Sequence, residues 1–286
     1  MTDGSGGTRH VIPAAVERTY GADDLGATGL FGGGFINFGY WQGIDLDRVL
    51  TEEDRVASQR ALYRHVLDGL APGEGLRVLE VGCGMGAGGA VALEEYGFAR
   101  VTGMDIHPEQ LRRAERATAE VSARRPGGLR FVRGAAEDMP FGEGEFDCLY
   151  SVEAAQHFRD LGAFAHEAAR VLRPGGRMVV ATFLVPDADP VRARRPAELL
   201  HTFAEDLDVP HTVPELTDAL EQAGLGDIRV DSIGESVWPG WDRWLDRTWA
   251  PGTWPHNFLL AYREGTLDYF TVTARRPESG ATGQGL

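Results

Sequence analysis

The stretch VLEVGCGMGAG, Val78–Gly88, decides the fold. With Arg77 its first residues form a short apolar run, RVLEV, which reads as a buried strand and ends in glycines at every second position. Glycine is needed where a backbone turns sharply and must approach a ligand with no Cβ in the way. Gly82, Gly84 and Ala87 also match the dinucleotide pattern G-x-G-x-x-G/A, and Asp105 follows at about the distance of a ribose-binding carboxylate. The loop alone points to an adenosine-type cofactor after the first strand and leaves open which one.

Outward from this loop, helical and strand patterns alternate. Residues 51–70 carry a helical stripe of Val56, Leu62, Val66, Leu67 and Leu70 behind Thr51 as N-cap, and Ala71-Pro72-Gly73 breaks it. After the loop a helix runs toward Tyr96, and Arg100–Met104 is a second strand ending at Asp105. His107–Ala123 reads as a helix with Pro108 in its first turn. Leu129–Arg133 and Phe146–Ser151 are strands, Leu161–Arg173 is a helix stopped by Pro174-Gly175-Gly176, and Arg177–Leu184 is a fifth strand. Five alternations predict a parallel, doubly wound α/β sheet. Beyond Pro186 the rhythm changes: 187–212 is rich in proline, charge and histidine. Val213–Ala223 then reads as a helix, and Asp227–Ser232 and Leu267–Ala274 as strands.

Composition narrows the functions. The 286 residues suffice for one large domain, and the formal charge of −15 disfavours nucleic acid as a partner. Every basic side chain is arginine, and the lack of lysine excludes a P-loop and Schiff-base chemistry. No apolar run is long enough to span a bilayer, so no membrane association is expected. The start MTDGSGGTRH lacks the apolar stretch of a signal peptide. Cys83 and Cys148 sit in separate core elements, which predicts a reducing, cytoplasmic setting. His201 and His211, amid Asp206 and Asp208, match no metal-ligand spacing, so no metal is expected.

Four segments occur in a fixed order: VLEVGCGMG, VTGMDIHPEQLRRA, FVRGAAEDMPFGEGEFDCLYS and EAARVLRPGGRMVVATF. Together they resemble the class I S-adenosylmethionine (SAM)-dependent methyltransferases of the small-molecule, ubiquinone/menaquinone, sterol and tocopherol type. The resemblance implies a Rossmann-like, mostly parallel seven-stranded sheet with helices on both faces. It also implies one domain with a cap over 9–70, a cofactor core over 76–186, and lid insertions and closing strands over 187–274. Residues 1–8 and 275–286 would be tails. The implied reaction moves a methyl from SAM, leaving S-adenosylhomocysteine, to an oxygen or carbon of a small, largely apolar acceptor such as a secondary metabolite. Because these motifs report the cofactor and not the chemistry, a SAM-binding cyclase of the same fold remains the rival reading.

The same resemblance assigns site residues. Glu80 would help hold the methionine amino end, while Gly82, Gly84 and Gly86 let the backbone pass under the cofactor. Asp105 would accept both ribose hydroxyls, with Ile106 against the adenine; a helix cap is its alternative role. In GAAEDMPF, Ala135 stands where the family has aspartate, which shifts the adenine contact to Ala136 with Glu137 or Asp138. Ser151 ends the fourth strand on the cofactor side. In SVEAAQHF, His157 is the candidate proton acceptor and Glu153 the second candidate, one helical turn apart if the segment is helical. Tyr20, also a candidate catalytic residue, would close over the cofactor with Tyr40 and Trp41, an aromatic face suited to a sulfonium; ordinary aromatic packing of a cap is the alternative for each. Five of the six tryptophans fall at 238–254, where they would wall an apolar pocket, form a homodimer contact or simply pack the lid.

Overall fold

The computed structural model describes residues 11–21, 29–70, 73, 75–247 and 249–278. The expected tail at 1–8, residues 279–286 of the tail expected over 275–286, and Ala71 and Pro72 of the expected break lie outside them, while Arg275 belongs to the last strand. Helix α1 (Ala14–Tyr20) comes first, and an irregular strap over residues 29–50 leads into α2 (Glu52–Gly69). Thr51 caps α2 reciprocally with Asp54, a capping box that fixes where the helix starts. The core then runs β1 (Arg77–Val81), α3 (Ala87–Glu95), β2 (Arg100–Asp105), α4 (Pro108–Ala117), α5 (Ala119–Arg124), β3 (Leu129–Arg133) and β4 (Phe146–Val152). It continues through α6 (Leu161–Val171) and β5 (Leu172–Leu184). After these come α7 (Pro190–Leu199), α8 (His201–Ala204), α9 (Val213–Gln222), β6 (Gly226–Ser232), α10 (Gly234–Leu245), α11 (Asn257–Arg263) and β7 (Asp268–Arg275).

The seven strands form one sheet in the order β3-β2-β1-β4-β5-β7-β6. The first five are parallel, and β7 runs antiparallel to both β5 and β6. Alternate strand residues enter two separate cores. Val78, Tyr150, Val179 and Phe183 join the side packed by α2, α3, α10 and α11. Leu79, Leu149, Val180 and Val272 join the side packed by α6 and α9. Helices on both faces are what nearly continuous apolar strands require.

Two sequence expectations change here. The single helix expected over 107–123 is two helices, divided at Thr118, whose hydroxyl bonds back to the Ala114 carbonyl. The tryptophans are core and not pocket wall. Trp238, Trp241 and Trp244 are buried on α10, where Trp238 stacks on Phe258 at 5.3 Å and Trp241 meets Phe38 edge-on at 4.7 Å. Large flat rings bury the most apolar area per residue, which suits them to this core.

Gly240 shows how tight that packing is: a Cβ there would lie 2.0 Å from Trp41 Cγ. Trp41 is buried and its indole N–H is bonded to the Phe38 carbonyl, so it has nowhere to go. Gly240→Ala gains about 1 kcal/mol of helix propensity. The overlap outweighs that gain, so we expect a net loss of about 1–2 kcal/mol in urea unfolding.

Candidate active site

A cavity of about 320 Å³ opens at the carboxyl ends of β1, β2 and β4, where ligands of open α/β sheets bind. Its floor is the glycine loop. Gly82, Gly84 and Gly86 all have positive φ (77°, 49° and 77°), a conformation that side chains rarely adopt. A Cβ on Gly84 would meet nothing within 4 Å, whereas one on Gly82 would lie 2.2 Å from Ala154 Cβ. Gly84 therefore presents bare backbone. Gly86 lies off the cavity wall, where a Cβ would strike Phe131 and Ala114; its role is packing of the loop against α4 and β3.

Asp105 ends β2 with both oxygens engaged. Oδ2 accepts the Gly84 N–H at 2.9 Å and Oδ1 the His107 N–H at 2.8 Å. Burial pushes this carboxyl up from its ordinary range, and the two N–H groups oppose the shift. The helix cap that α4 needs comes instead from His107, whose Nδ1 accepts the Glu109 N–H. Ile106, Ala136 and Glu137 line the same wall, with Glu137 accepting the Arg159 N–H.

On the opposite wall stand Glu153, His157 and Tyr20. Glu153 has φ 48°, and only a single 3-10 turn, Ala155–His157, follows it. The expected helical turn joining Glu153 to His157 is absent, so the two side chains meet the cavity by different routes. Glu153 Oε1 accepts the Phe38 N–H at 2.7 Å and the Tyr269 hydroxyl at 3.0 Å. Burial pushes its carboxyl up to about 8, against the pull of those two bonds and of Arg55. His157 Nδ1 lies 3.0 Å from the Leu207 carbonyl and 3.0 Å from Asp208 Oδ1, both acceptors. Nδ1 therefore carries the proton, and Nε2 accepts the Tyr20 hydroxyl at 3.0 Å. Burial, then the charges of Asp208, Glu153 and Asp105, push the Tyr20 phenol far up, so it stays a donor.

Three expected residues lie elsewhere. The Tyr40 ring stacks on His65 at 4.7 Å and its hydroxyl bonds to Gln42, away from the cavity, while Trp41 is buried in the core. Tyr40 packs against α2 through His65, and Trp41 packs against α10 at Gly240. The Ser151 hydroxyl donates to the Val81 carbonyl inside the sheet. Asp208, Tyr269 and Tyr63 were missed. Tyr63 lines the cavity from α2, and nothing local in the sequence marks any of the three.

Glu80 sits fully buried behind the loop, off the cavity wall. Burial pushes its carboxyl up to about 8. The Tyr150 and Tyr63 hydroxyls and the Gly89 N–H face it and offset part of the shift, although neither oxygen completes a well-formed hydrogen bond. An unfolded glutamate releases its proton near ~4.3. Between that value and about 8 the folded state holds a proton the unfolded chain has lost, so stability falls as pH rises and levels off above. The thermal midpoint of the cofactor-free protein is expected to drop from pH 5 to pH 8, and Glu80→Gln to flatten that slope.

Comparison with known proteins places the chain in a family. Residues 79–180 match the model of a methyltransferase domain family. The chain is 34% identical over 236 residues to the O-methyltransferase cnsE of Penicillium expansum, covering 80% of this chain and 79% of that one. It is 29% identical to a fatty-acid O-methyltransferase of Mycolicibacterium smegmatis over 72% of this chain and 73% of the relative. The geranyl diphosphate C-methyltransferase of Streptomyces coelicolor, solved with Mg2+, geranyl diphosphate and S-adenosyl-L-homocysteine, shares the fold at TM-score 0.76 and 20% identity. That match spans 91% of this chain and 96% of the other. The chain belongs to the class I SAM-dependent methyltransferases that act on small molecules.

Proposed function

We propose that this enzyme methylates a hydroxyl oxygen of a small, largely apolar alcohol or phenol, with His157 Nε2 as the proton acceptor. The observation that carries this reading is the fixed tautomer of His157. The Leu207 carbonyl takes its Nδ1 proton beside the Asp208 carboxylate, so Nε2 keeps its lone pair on the cavity-lining ring. Around it the wall is apolar: Val11, Pro13, Val16, Ile36 and Phe158.

SAM, the cofactor of this family, suits the opposite wall by its chemistry. Gly84 offers backbone that a Cβ would not obstruct, and Asp105 offers the bidentate acceptor a ribose diol requires. When bound, SAM supplies a methyl group on a positively charged sulfur and leaves as neutral S-adenosylhomocysteine. The carboxylates of Asp105 and Glu137 on this wall favour that cation over its neutral product.

The acceptor hydroxyl reaches Nε2 by taking the place of the Tyr20 hydroxyl. Its oxygen bonds to the methyl carbon and gives up its proton to Nε2. Tyr20 cannot serve as the base itself, because its phenol is held protonated. Glu153 is committed through Oε1 to the Phe38 N–H and Tyr269 hydroxyl, and its role is to hold that wall in place.

Isotope-labelled SAM offered with a panel of aliphatic alcohols and phenols is expected to give labelled ethers. Turnover without label transfer would instead establish cyclase chemistry. Asp105→Ala is expected to weaken S-adenosylhomocysteine binding by about 2–3 kcal/mol in calorimetry, the loss of charge-assisted bonds to two hydroxyls. His157→Ala should lower kcat by about 10²–10⁴-fold with that affinity nearly unchanged. Glu153→Gln, which keeps an acceptor for Phe38 and Tyr269, should cost far less than His157→Ala. The opposite order would move the proton acceptor to the carboxylate.

A further inference from the structure

Asp208 has no role in the reaction as described so far, yet its placement is costly. It lies between α8 and α9 and is 4% exposed. Its own N–H is tied to the Thr202 carbonyl at 3.0 Å, which fixes the direction of the side chain. Oδ1 points at His157 Nδ1 from 3.0 Å, but it completes no hydrogen bond of good geometry. The Nδ1 proton is directed instead at the neighbouring Leu207 carbonyl. A buried carboxylate oxygen left this way costs several kcal/mol unless a positive charge faces it. No arginine ion pair of Asp208 occurs among the described residues; the group in front of it is the imidazole.

We propose that Asp208 is a positioning residue that acts through His157: it stabilises the imidazolium formed when Nε2 takes the acceptor's proton. The Leu207 carbonyl fixes the tautomer before the reaction, and the Asp208 carboxylate counters the charge that develops during it. One backbone carbonyl and the next residue's carboxylate thus divide two tasks. This proposal rests on the reading of His157 as the base. The division also explains an asymmetry in the cavity. The other charged or titratable groups bearing on His157 are Tyr20 from α1, Glu153 after β4 and Asp105 at the end of β2. Asp105 stands on the cofactor wall against two backbone N–H groups, and Glu153 Oε1 is engaged by Phe38 and Tyr269. Asp208 is the acid that faces His157 Nδ1 directly.

The test uses the whole protein with 15N-labelled histidine and bound S-adenosylhomocysteine, so it needs no acceptor. His157 signals are assigned by their loss in His157→Gln. In the wild type, Nδ1 should be the protonated nitrogen of the neutral ring. In Asp208→Asn the same tautomer should persist, because Leu207 remains, while protonation of Nε2 shifts to lower pH by about one unit or more. Superimposable titrations in the two proteins would overturn the proposal. A neutral wild-type ring protonated on Nε2 would do the same, and it would remove the base reading as well. If Asp208→Asn does not fold, the wild type carries the test alone. A slowly exchanging, downfield Nδ1–H resonance is expected there, and its absence would count against the proposal. On any acceptor found by label transfer, Asp208→Asn should lower the kcat plateau by about 10–10²-fold and move its acidic limb down in pH. Loss of activity in His157→Ala with an unmoved limb in Asp208→Asn would sink this proposal and leave the base intact. Retained activity in His157→Ala would sink the base reading first.

Discussion

The strap of residues 29–50, which precedes α2, forms neither helix nor strand. Its backbone polar groups still need partners, because an unpaired buried amide or carbonyl costs about as much as a lost hydrogen bond. Arg55, Gln59 and Glu153 supply several of them. Arg55, 1% exposed, donates to the carbonyls of Leu30, Asn37 and Phe38. Gln59 accepts from the Gly32 N–H and donates to the carbonyls of Phe35 and Asn37. Glu153 takes the Phe38 N–H. One residue of the strap is thus gripped from both sides, by a guanidinium on its carbonyl and a carboxylate on its amide. Burial pulls Arg55 down to about 9, and the nearby Glu153 charge supports it. The ring of Phe38 then sits among Trp238, Trp241, Phe183 and Phe258. Cavity wall, strap and aromatic core are one connected structure, and the left-handed turn at Glu153 is where they join.

The sheet order explains why chemistry collects at one edge. Neighbours β2, β1 and β4 run parallel, so their carboxyl ends bring Asp105, the glycine loop and Glu153 to the same rim. Gly82 and Cys83 donate to the Met104 carbonyl and Gly84 to the Asp105 carboxylate, so the loop folds back over the end of β2. A loop fixed in this way pays its ordering entropy at folding and not at ligand binding. The opposite wall is assembled from distant parts of the chain. Tyr20 meets His157 across 137 positions of sequence, and Leu207 meets it across 50.

That difference in sequence separation decides what could be read from the chain alone. Strands β1 to β5, the glycine loop and Asp105 rest on local patterns: apolar runs, glycine at positive φ, a carboxylate at a strand end. The closing strands were legible for the same reason. Tyr40, Trp41 and the tryptophans of α10 look alike in sequence whether they line a pocket or fill a core, since an aromatic ring serves either use. Only the packing of α10 and α11 over the sheet assigns them to the core. Ser151 alternates with its strand neighbours, and a shift of one residue turns a side chain from the rim to the interior. Asp208 stands in a stretch rich in acids and proline, where nothing separates a buried carboxylate from a solvated one until α8 and the Thr202 carbonyl fix its direction. The turn at Glu153 resisted reading because a non-glycine residue at positive φ leaves no mark in the sequence.

Helix α1 shows how binding and structure are linked on that wall. Seven residues are too few for a helix to hold itself in water, where about 12–15 are marginal. Its form therefore comes from docking. Arg113 donates to the Tyr20 and Gly21 carbonyls at its carboxyl end, and Glu17 lies 3.2 Å from His107. Ala15 and Val16 pack on Leu207, the residue whose carbonyl holds the His157 proton. Tyr20 closes the set on His157 Nε2. An acceptor hydroxyl that takes over Nε2 exchanges one hydrogen bond for another, a change of about 1 kcal/mol or less. It leaves the grip of Arg113 untouched. The helix can thus keep its place while its tyrosine gives way, and the apolar contact with Leu207 keeps the carbonyl aimed at Nδ1 as the proton arrives on the other side of the ring.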